Sequence, residues 1–213
     1  KRKLAVVLLI CISCHMGWAA QDFVWKSGQN MKVVCDTTEA PVVKVALDLL
    51  KRDCRSVLSG NISRSENTGN IYVGTWGESS VLQALAETHQ LDVALLNEHK
   101  EAFLLNVLPD GRLIVAGSDK RGTAYGVLEL SRMMGVSPWE WWADAIPEKK
   151  EELRLPAGFR KLDYPQVAYR GKFINDEDWG LTPWSWKHYE PSERKGQIGP
   201  KTHARIFELL LRL

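Results

Sequence analysis

The chain has 213 residues, 25% of them charged, and a formal net charge of +2. That length can bury a core in one or two domains, and the near balance of charge excludes both a polybasic nucleic-acid binder and an acidic disordered tail. Nine Trp stand against five Phe and five Tyr, most of them from Trp139 onward, which points to a dense core or a surface that stacks sugar rings.

The chain opens with Lys1-Arg2-Lys3, an apolar run from Leu4 to Ile12, and Gly17-Trp18-Ala19-Ala20. A basic head, an apolar middle and a small-residue end make a secretory signal, cleaved after Ala19 or Ala20, and the run is too short to span a membrane. Residues 1–20 are therefore read as a signal peptide and the mature protein as exported, periplasmic or extracellular. Ser13-Cys14 offers a lipid-attachment reading, but Cys11 stands where an aliphatic residue is wanted, so a lipid-anchored form is the weaker alternative. Beyond the leader only Cys35 and Cys54 remain. Two readings stand for them: a disulfide in an oxidising compartment, or two buried thiols, one ending a strand and one on a helix face. Neither has a His or Cys neighbour at ligand spacing, so no metal and no cofactor is expected.

Met31 to Cys35 reads as a strand, and Thr37-Thr38-Glu39-Ala40-Pro41 as a cap-and-proline entry into a helix reaching Leu58. Val43, Ala46, Leu47, Leu50, Cys54 and Val57 recur at helical spacing, so one face is buried. Ser59 to Gly69 reads as a polar loop, Asn70 to Gly74 as a second strand, and Ser79-Ser80 as the cap of a helix to about His89. The runs AFLLNVL and RLIVAGS, joined by Pro109-Asp110-Gly111, predict a hairpin. Asp119 then caps a helix from about Arg121 to Met134, which draws Tyr125, Leu128 and Met133 into the core and stops at Gly135. Helices against a mixed sheet make an α/β domain over residues 21–160.

Gly135 to Pro147, GVSPWEWWADAIP, carries three Trp within four residues. It reads either as a wedge between domains or as a wall of a sugar site, in which Trp139, Trp141 or Trp142 presents a ring face and Glu140 a hydrogen bond. Lys149 to Lys161 reads as a short strand and a linker, and a second domain begins at residue 161. Its first element is the strand Tyr169 to Ile174, followed directly by Asn175, Asp176, Glu177, Asp178 and Trp179. Acidic and hydrogen-bonding groups at the C-terminal end of a strand are where barrel enzymes hold their chemistry, and a solvated acidic loop is the plain alternative. A helix from about Pro200 carries an apolar stripe of Ile206, Phe207, Leu209, Leu210 and Leu213, which needs a partner layer. Closing an eight-fold barrel takes about 250 residues, so residues 161–213 are read as the truncated start of one.

Three blocks, GSDKRGTAYGVLELSRMMGVSPWEWWAD (residues 117–144), YRGKFINDEDWGLTPW (residues 169–184) and IGPKTHARIFELLLRL (residues 198–213), resemble the N-terminal part of glycoside hydrolase family 115, the xylan α-1,2-glucuronidases. The resemblance implies a mixed-sheet α/β domain like the N-terminal domain of hexosaminidases, followed by the first βα unit of a truncated (β/α)8 catalytic barrel. It implies an exported enzyme that removes glucuronic acid or its 4-O-methyl ether from glucuronoxylan or its oligosaccharides with inversion, without nucleic-acid partners, and a homodimer in the full-length protein. Inversion needs two carboxyls about 6.5–9.5 Å apart, so three consecutive acids supply at most one of the pair. Asp176 is expected to point into the barrel mouth as a catalytic group, with Glu177 as second choice. Asn175 is expected to orient hydroxyls, Asp178 to stabilise the loop, and Trp179 to line the site with Trp139, Glu140, Trp141 and Trp142. Lys120 and Arg121 offer a guanidinium or ammonium to a uronate carboxylate; the general acid would lie beyond Leu213. The rival readings are another barrel glycosidase with the same accessory domain, such as a hexosaminidase or a different α-glucuronidase, and a non-catalytic carbohydrate-binding piece.

Overall fold

The computed structural model describes residues 19–89, 93–191 and 195–213. The leader read over residues 1–20 lies almost wholly outside the described residues.

The core is a six-stranded sheet covered on both faces. Its strands are β2 (Asn30–Cys35), β3 (Asn61–Ser65), β4 (Ile71–Thr75), β5 (Phe103–Val107), β6 (Leu113–Gly117) and β8 (Arg160–Asp163), in the order β3-β2-β4-β6-β5-β8. The first four of that order run parallel, and β5 and β8 are antiparallel to their neighbours. A separate antiparallel pair, β1 (Phe23–Lys26) with β7 (Glu152–Leu155), closes one end. Because β4 and β6 are covered on both faces, all their residues are buried, which is why they read as unbroken apolar runs rather than alternating ones. Helix α1 (Pro41–Leu58) and helix α4 (Lys120–Met133) share one face around Trp25, Leu50 and Leu105. The other face holds α2 (Ser80–His89) and the short α3 (Ala94–Glu98) around Leu82, Leu96 and Leu104.

Several local expectations hold. Asp119 accepts from the backbone N–H of Arg121 and Gly122 at the start of α4, and Ser79 Oγ accepts from Leu82 N at the start of α2. The Cys35 and Cys54 thiols are free and buried. Burial pushes both up to about 11, which keeps them protonated and inert.

Four local expectations are corrected. The entry to α1 has Pro41 at its first turn but no side-chain cap; Glu39 is instead buried, its carboxylate accepting from Thr75 N at 2.6 Å and Thr75 Oγ1 at 3.1 Å. The stretch read as a polar loop contains β3, an edge strand whose single fully buried residue is Ile62, so it lacks the apolar alternation that marks a strand. From β3 the chain crosses β2 within residues 66–70, and a Cβ at Gly69 would sit 2.7 Å from the Lys32 carbonyl. The stretch read as a linker contains β8, which pairs with β5 and carries the sheet past residue 160, where the domain boundary was placed. Its Arg160 and Lys161 are the charges that guard an edge strand. Finally, Tyr169 to Ile174 pairs with no strand among the described residues. A strand is defined by its ladder, and no neighbour is there to form one.

The remaining elements are α5 (Leu181–Trp184), a π-turn over Ser185–Tyr189, and α6 (Pro200–Arg212). Helix α6 docks on α1 and α4 with Ile206 and Leu209 buried, while Phe207, Leu210 and Leu213 of the expected stripe stay exposed. Its fastening is ionic. Arg212 forks onto Asp53 of α1 at 2.8 and 3.1 Å, and both side chains are nearly inaccessible, at 5% and 3%. Glu208 joins Arg212 to Arg52 and Arg205. Burial pushes the Glu208 carboxyl up, but Arg52 and Arg212 outweigh it and hold it below its ordinary value.

Removing one partner of a buried pair leaves a desolvated charge, so Asp53→Ala should cost about 3 kcal/mol in a urea titration. Val45→Ala, at a half-exposed position on the same helix, should change stability by less than about 0.5 kcal/mol.

Candidate active-site loop

Asn175, Asp176, Glu177, Asp178 and Trp179 are all exposed, Trp179 at 81%. The loop is nevertheless shaped by its own hydrogen bonds. Asn175 Oδ1 accepts from Glu177 N at 3.1 Å, and Gly180 N donates to the Glu177 carbonyl at 3.0 Å. The Thr182 hydroxyl, in the first turn of α5, donates to the Asp176 carbonyl. Asn175 thus serves the loop backbone here, a role expected of Asp178. The three carboxylates themselves face solvent.

The tryptophan loop divides. Trp139 is 44% exposed and stands apart. Trp141 and Trp142 meet edge to face, with ring centroids 4.8 Å apart, and Trp141 also meets Tyr189 at 5.0 Å and Trp184 at 6.0 Å. Trp184 stacks on Tyr189 at 5.2 Å. The Arg205 guanidinium lies 4.9 Å from the Trp141 ring, and the Trp142 indole N–H donates to the Arg205 carbonyl at 3.2 Å. The wedge reading is therefore realised for Trp141 and Trp142, which join Trp184, Tyr189 and Arg205 to the sheet domain. A cleft of about 720 Å³ remains open beside them, lined by Glu140, Trp141, Trp142, Leu181, Trp184 and Gly180 among others. Gly180 borders the acidic loop, so the two sets of residues singled out in the sequence converge there. Glu140 also approaches Arg52 at 3.8 Å.

Two buried carboxylates that the sequence reading passed over hold this region in place. Glu190, 2% exposed, follows the π-turn and reaches the N-terminus of α6. It accepts from Lys201 N at 3.0 Å, Thr202 N at 2.9 Å, Thr202 Oγ1 at 2.7 Å and Ser185 Oγ at 3.3 Å. It thus occupies the place of a helix cap and meets the positive end of the helix dipole. A Cβ at Gly199 would fall 2.3 Å from that carboxyl carbon, so only glycine fits beneath it. The second is Glu101, 6% exposed, which receives Arg121 of α4 and Arg170 of the segment leading to the acidic loop. Arg121 is therefore engaged by a carboxylate of its own chain, which removes it as a free uronate ligand. His188 is exposed and His203 Nδ1 lies 3.0 Å from the Gly199 carbonyl. No group of metal-binding side chains exists among the described residues.

The model of the family described as glycosyl hydrolase family 115 matches residues 162–213. Among solved structures, the chain is 59% identical to BtGH115A, a family GH115 4-O-methyl-α-glucuronidase with specificity for decorated arabinogalactans, over 89% of its length and with a TM-score of 0.83. The chain belongs to glycosyl hydrolase family 115. It spans 24% of the length of that GH115 structure. Fainter likenesses are to CpGH84D (16% identity, 66% of this chain and 21% of that one, TM-score 0.48) and to a β-hexosaminidase of Streptomyces plicatus (16% identity, 71% and 25%, TM-score 0.43). No curated protein matches the chain.

Burial pushes the Glu190 carboxyl up, but the hydrogen bonds from Thr202, Lys201 and Ser185 outweigh it and bring it from 4.5 down to about 2. A folded-state value below the unfolded one stabilises the fold above the unfolded value, and that contribution is lost as pH falls through the folded one. Glu190→Gln should therefore unfold at lower denaturant than the parent at neutral pH, and the gap should close between about pH 4.5 and about pH 2. Paired denaturation curves across that range measure it.

Proposed function

We propose that this GH115 chain is the N-terminal part of an exported inverting α-glucuronidase that removes 4-O-methylglucuronic acid or glucuronic acid from a plant polysaccharide. The observation that carries the reading is 59% identity over 89% of the chain to a GH115 4-O-methyl-α-glucuronidase. In this reading Tyr169 to Ile174 is the first strand of a (β/α)8 barrel and α6 its first helix. Support comes from what the segment exposes: Tyr169 at 97%, Phe173 at 92% and Trp179 at 81% are apolar groups that a surrounding barrel would cover.

Asp176 follows that strand directly and is assigned to the barrel mouth, where it places water or binds sugar hydroxyls. Glu177 is its alternate. Consecutive carboxyls cannot stand about 6.5–9.5 Å apart across a sugar ring, so the general acid comes from another strand of the same barrel. Glu140, Trp141 and Trp142 border the cleft that opens at Gly180, a position suited to the polysaccharide flanking the uronate, and the exposed Trp139 precedes them in the same loop. The leader pattern supports export, and the full-length protein is proposed to act as a homodimer.

Two main chains are in play. Xylan follows from the sequence resemblance, whereas the relative's specificity for decorated arabinogalactans favours an arabinogalactan. The full-length protein should release free uronic acid from a glucuronidated arabinogalactan faster than from glucuronoxylan. Asp176→Asn should lower that rate at least about a hundredfold. Release of N-acetylhexosamine would instead support a hexosaminidase, and binding without release a carbohydrate-binding protein.

A further inference from the structure

We infer that Thr182 is a positioning residue, which sets the direction of Asp176 through the Asp176 main chain. The inference rests on the proposed role of Asp176. Two of the loop's fastenings, between Asn175 and Glu177 and between Gly180 and Glu177, are local and meet on Glu177. The contact from the Thr182 hydroxyl to the Asp176 carbonyl is of another kind, because it ties the loop to α5.

Helix α5 is itself held. Ser185, fully buried, follows it directly, and its Oγ lies 2.7 Å from Thr202 Oγ1, accepts from Gly199 N at 3.2 Å and faces Glu190 at 3.3 Å. Glu190 N donates back to the Ser185 carbonyl at 2.8 Å, closing the π-turn. Trp184, the last residue of α5, stacks on Tyr189. The connection therefore runs from the α6 N-terminus through Glu190 and Ser185 to α5, and from α5 through a single hydroxyl to the residue assigned to the chemistry. Fixing the Asp176 carbonyl fixes the peptide plane on its C-terminal side, and with it the backbone from which the carboxylate projects. A misplacement of the order of 1 Å at a reacting group is enough to cost catalysis heavily. Glu190 stabilises the whole arrangement, whereas Thr182 acts on one carbonyl, so the two are separable by experiment.

In the full-length protein, Thr182→Val keeps the shape and removes the hydroxyl, and Thr182→Ser keeps the hydroxyl. For uronic acid release, the valine variant should show kcat lower by about tenfold with KM within about twofold, and the serine variant should recover most of the loss. The melting temperature of both should stay within about 3 °C of the parent. Amide hydrogen exchange over residues 175–180, which needs no substrate, should quicken by about fivefold in the valine variant alone. Raised exchange together with a parent protein that releases no uronic acid would sink the functional reading and leave the positioning of Asp176 by Thr182 standing. Unchanged exchange, a change confined to KM, or a serine variant as impaired as the valine one would overturn the inference.

Discussion

The Asp53–Arg212 pair is the contact on which the placement of α6 depends. Helix α6 buries only Ile206, Leu209 and Thr202 fully, too little apolar surface to fix a helix by burial alone. A forked ion pair between side chains of 3% and 5% exposure supplies what burial does not, because it fixes direction as well as distance. Arg52 and Arg205 extend it through Glu208, and Arg205 continues to the Trp141 ring and, by its carbonyl, to Trp142. The aromatic wedge, α6 and α1 are thus parts of one assembly. Through Glu190 and Ser185 at the start of α6, the π-turn and α5 are tied to the same assembly.

Most of the sheet domain was legible in the sequence because its elements are locally consistent. Pro41, Asp119 and the Pro109-Asp110-Gly111 turn each mark a boundary with one physical signal, and the helix from Pro41 to Leu58 and the hairpin strands follow. What escaped was made by tertiary context. β3 and β8 are edge strands whose outward residues are polar, so neither carries a periodic apolar pattern, and only the ladder reveals them. Asp53 lies on the buried face of α1, where a carboxylate looks like an interruption of the stripe until Arg212, 159 residues later, arrives beside it. Glu39 reads as a helix-entry residue and is instead spent on Thr75.

The site was legible in kind and not in its supports. Runs of acids and of tryptophans are visible as letters, and the resemblance to a family assigned them chemistry. Glu190 and Glu101 gave no such sign, since a single glutamate between polar neighbours looks solvated. Their partners come from residues 11 to 12 positions later for Glu190 and from two separate elements for Glu101. A weak clue existed for the first: Gly199-Pro200 before a helix with no Ser, Thr, Asp or Asn at the cap position leaves backbone donors that something else must meet.

The acidic loop is held from both ends by buried carboxylates, and the manner of holding differs between the ends. On the N-terminal side Glu101 grips Arg170, a long side chain whose reach tolerates movement of the backbone behind it. On the C-terminal side the fastenings are short: a hydroxyl to the Asp176 carbonyl, then a π-turn closed on Ser185 and Glu190. Position is therefore set more tightly after Asp176 than before it, and the slack falls on Gly171 to Ile174. That is where slack is useful, because this stretch has no ladder partner among the described residues. In the proposed barrel, a strand that accepts neighbours on both sides settles into register only if its own backbone is free to adjust, while the backbone after Asp176 is already fastened to α5.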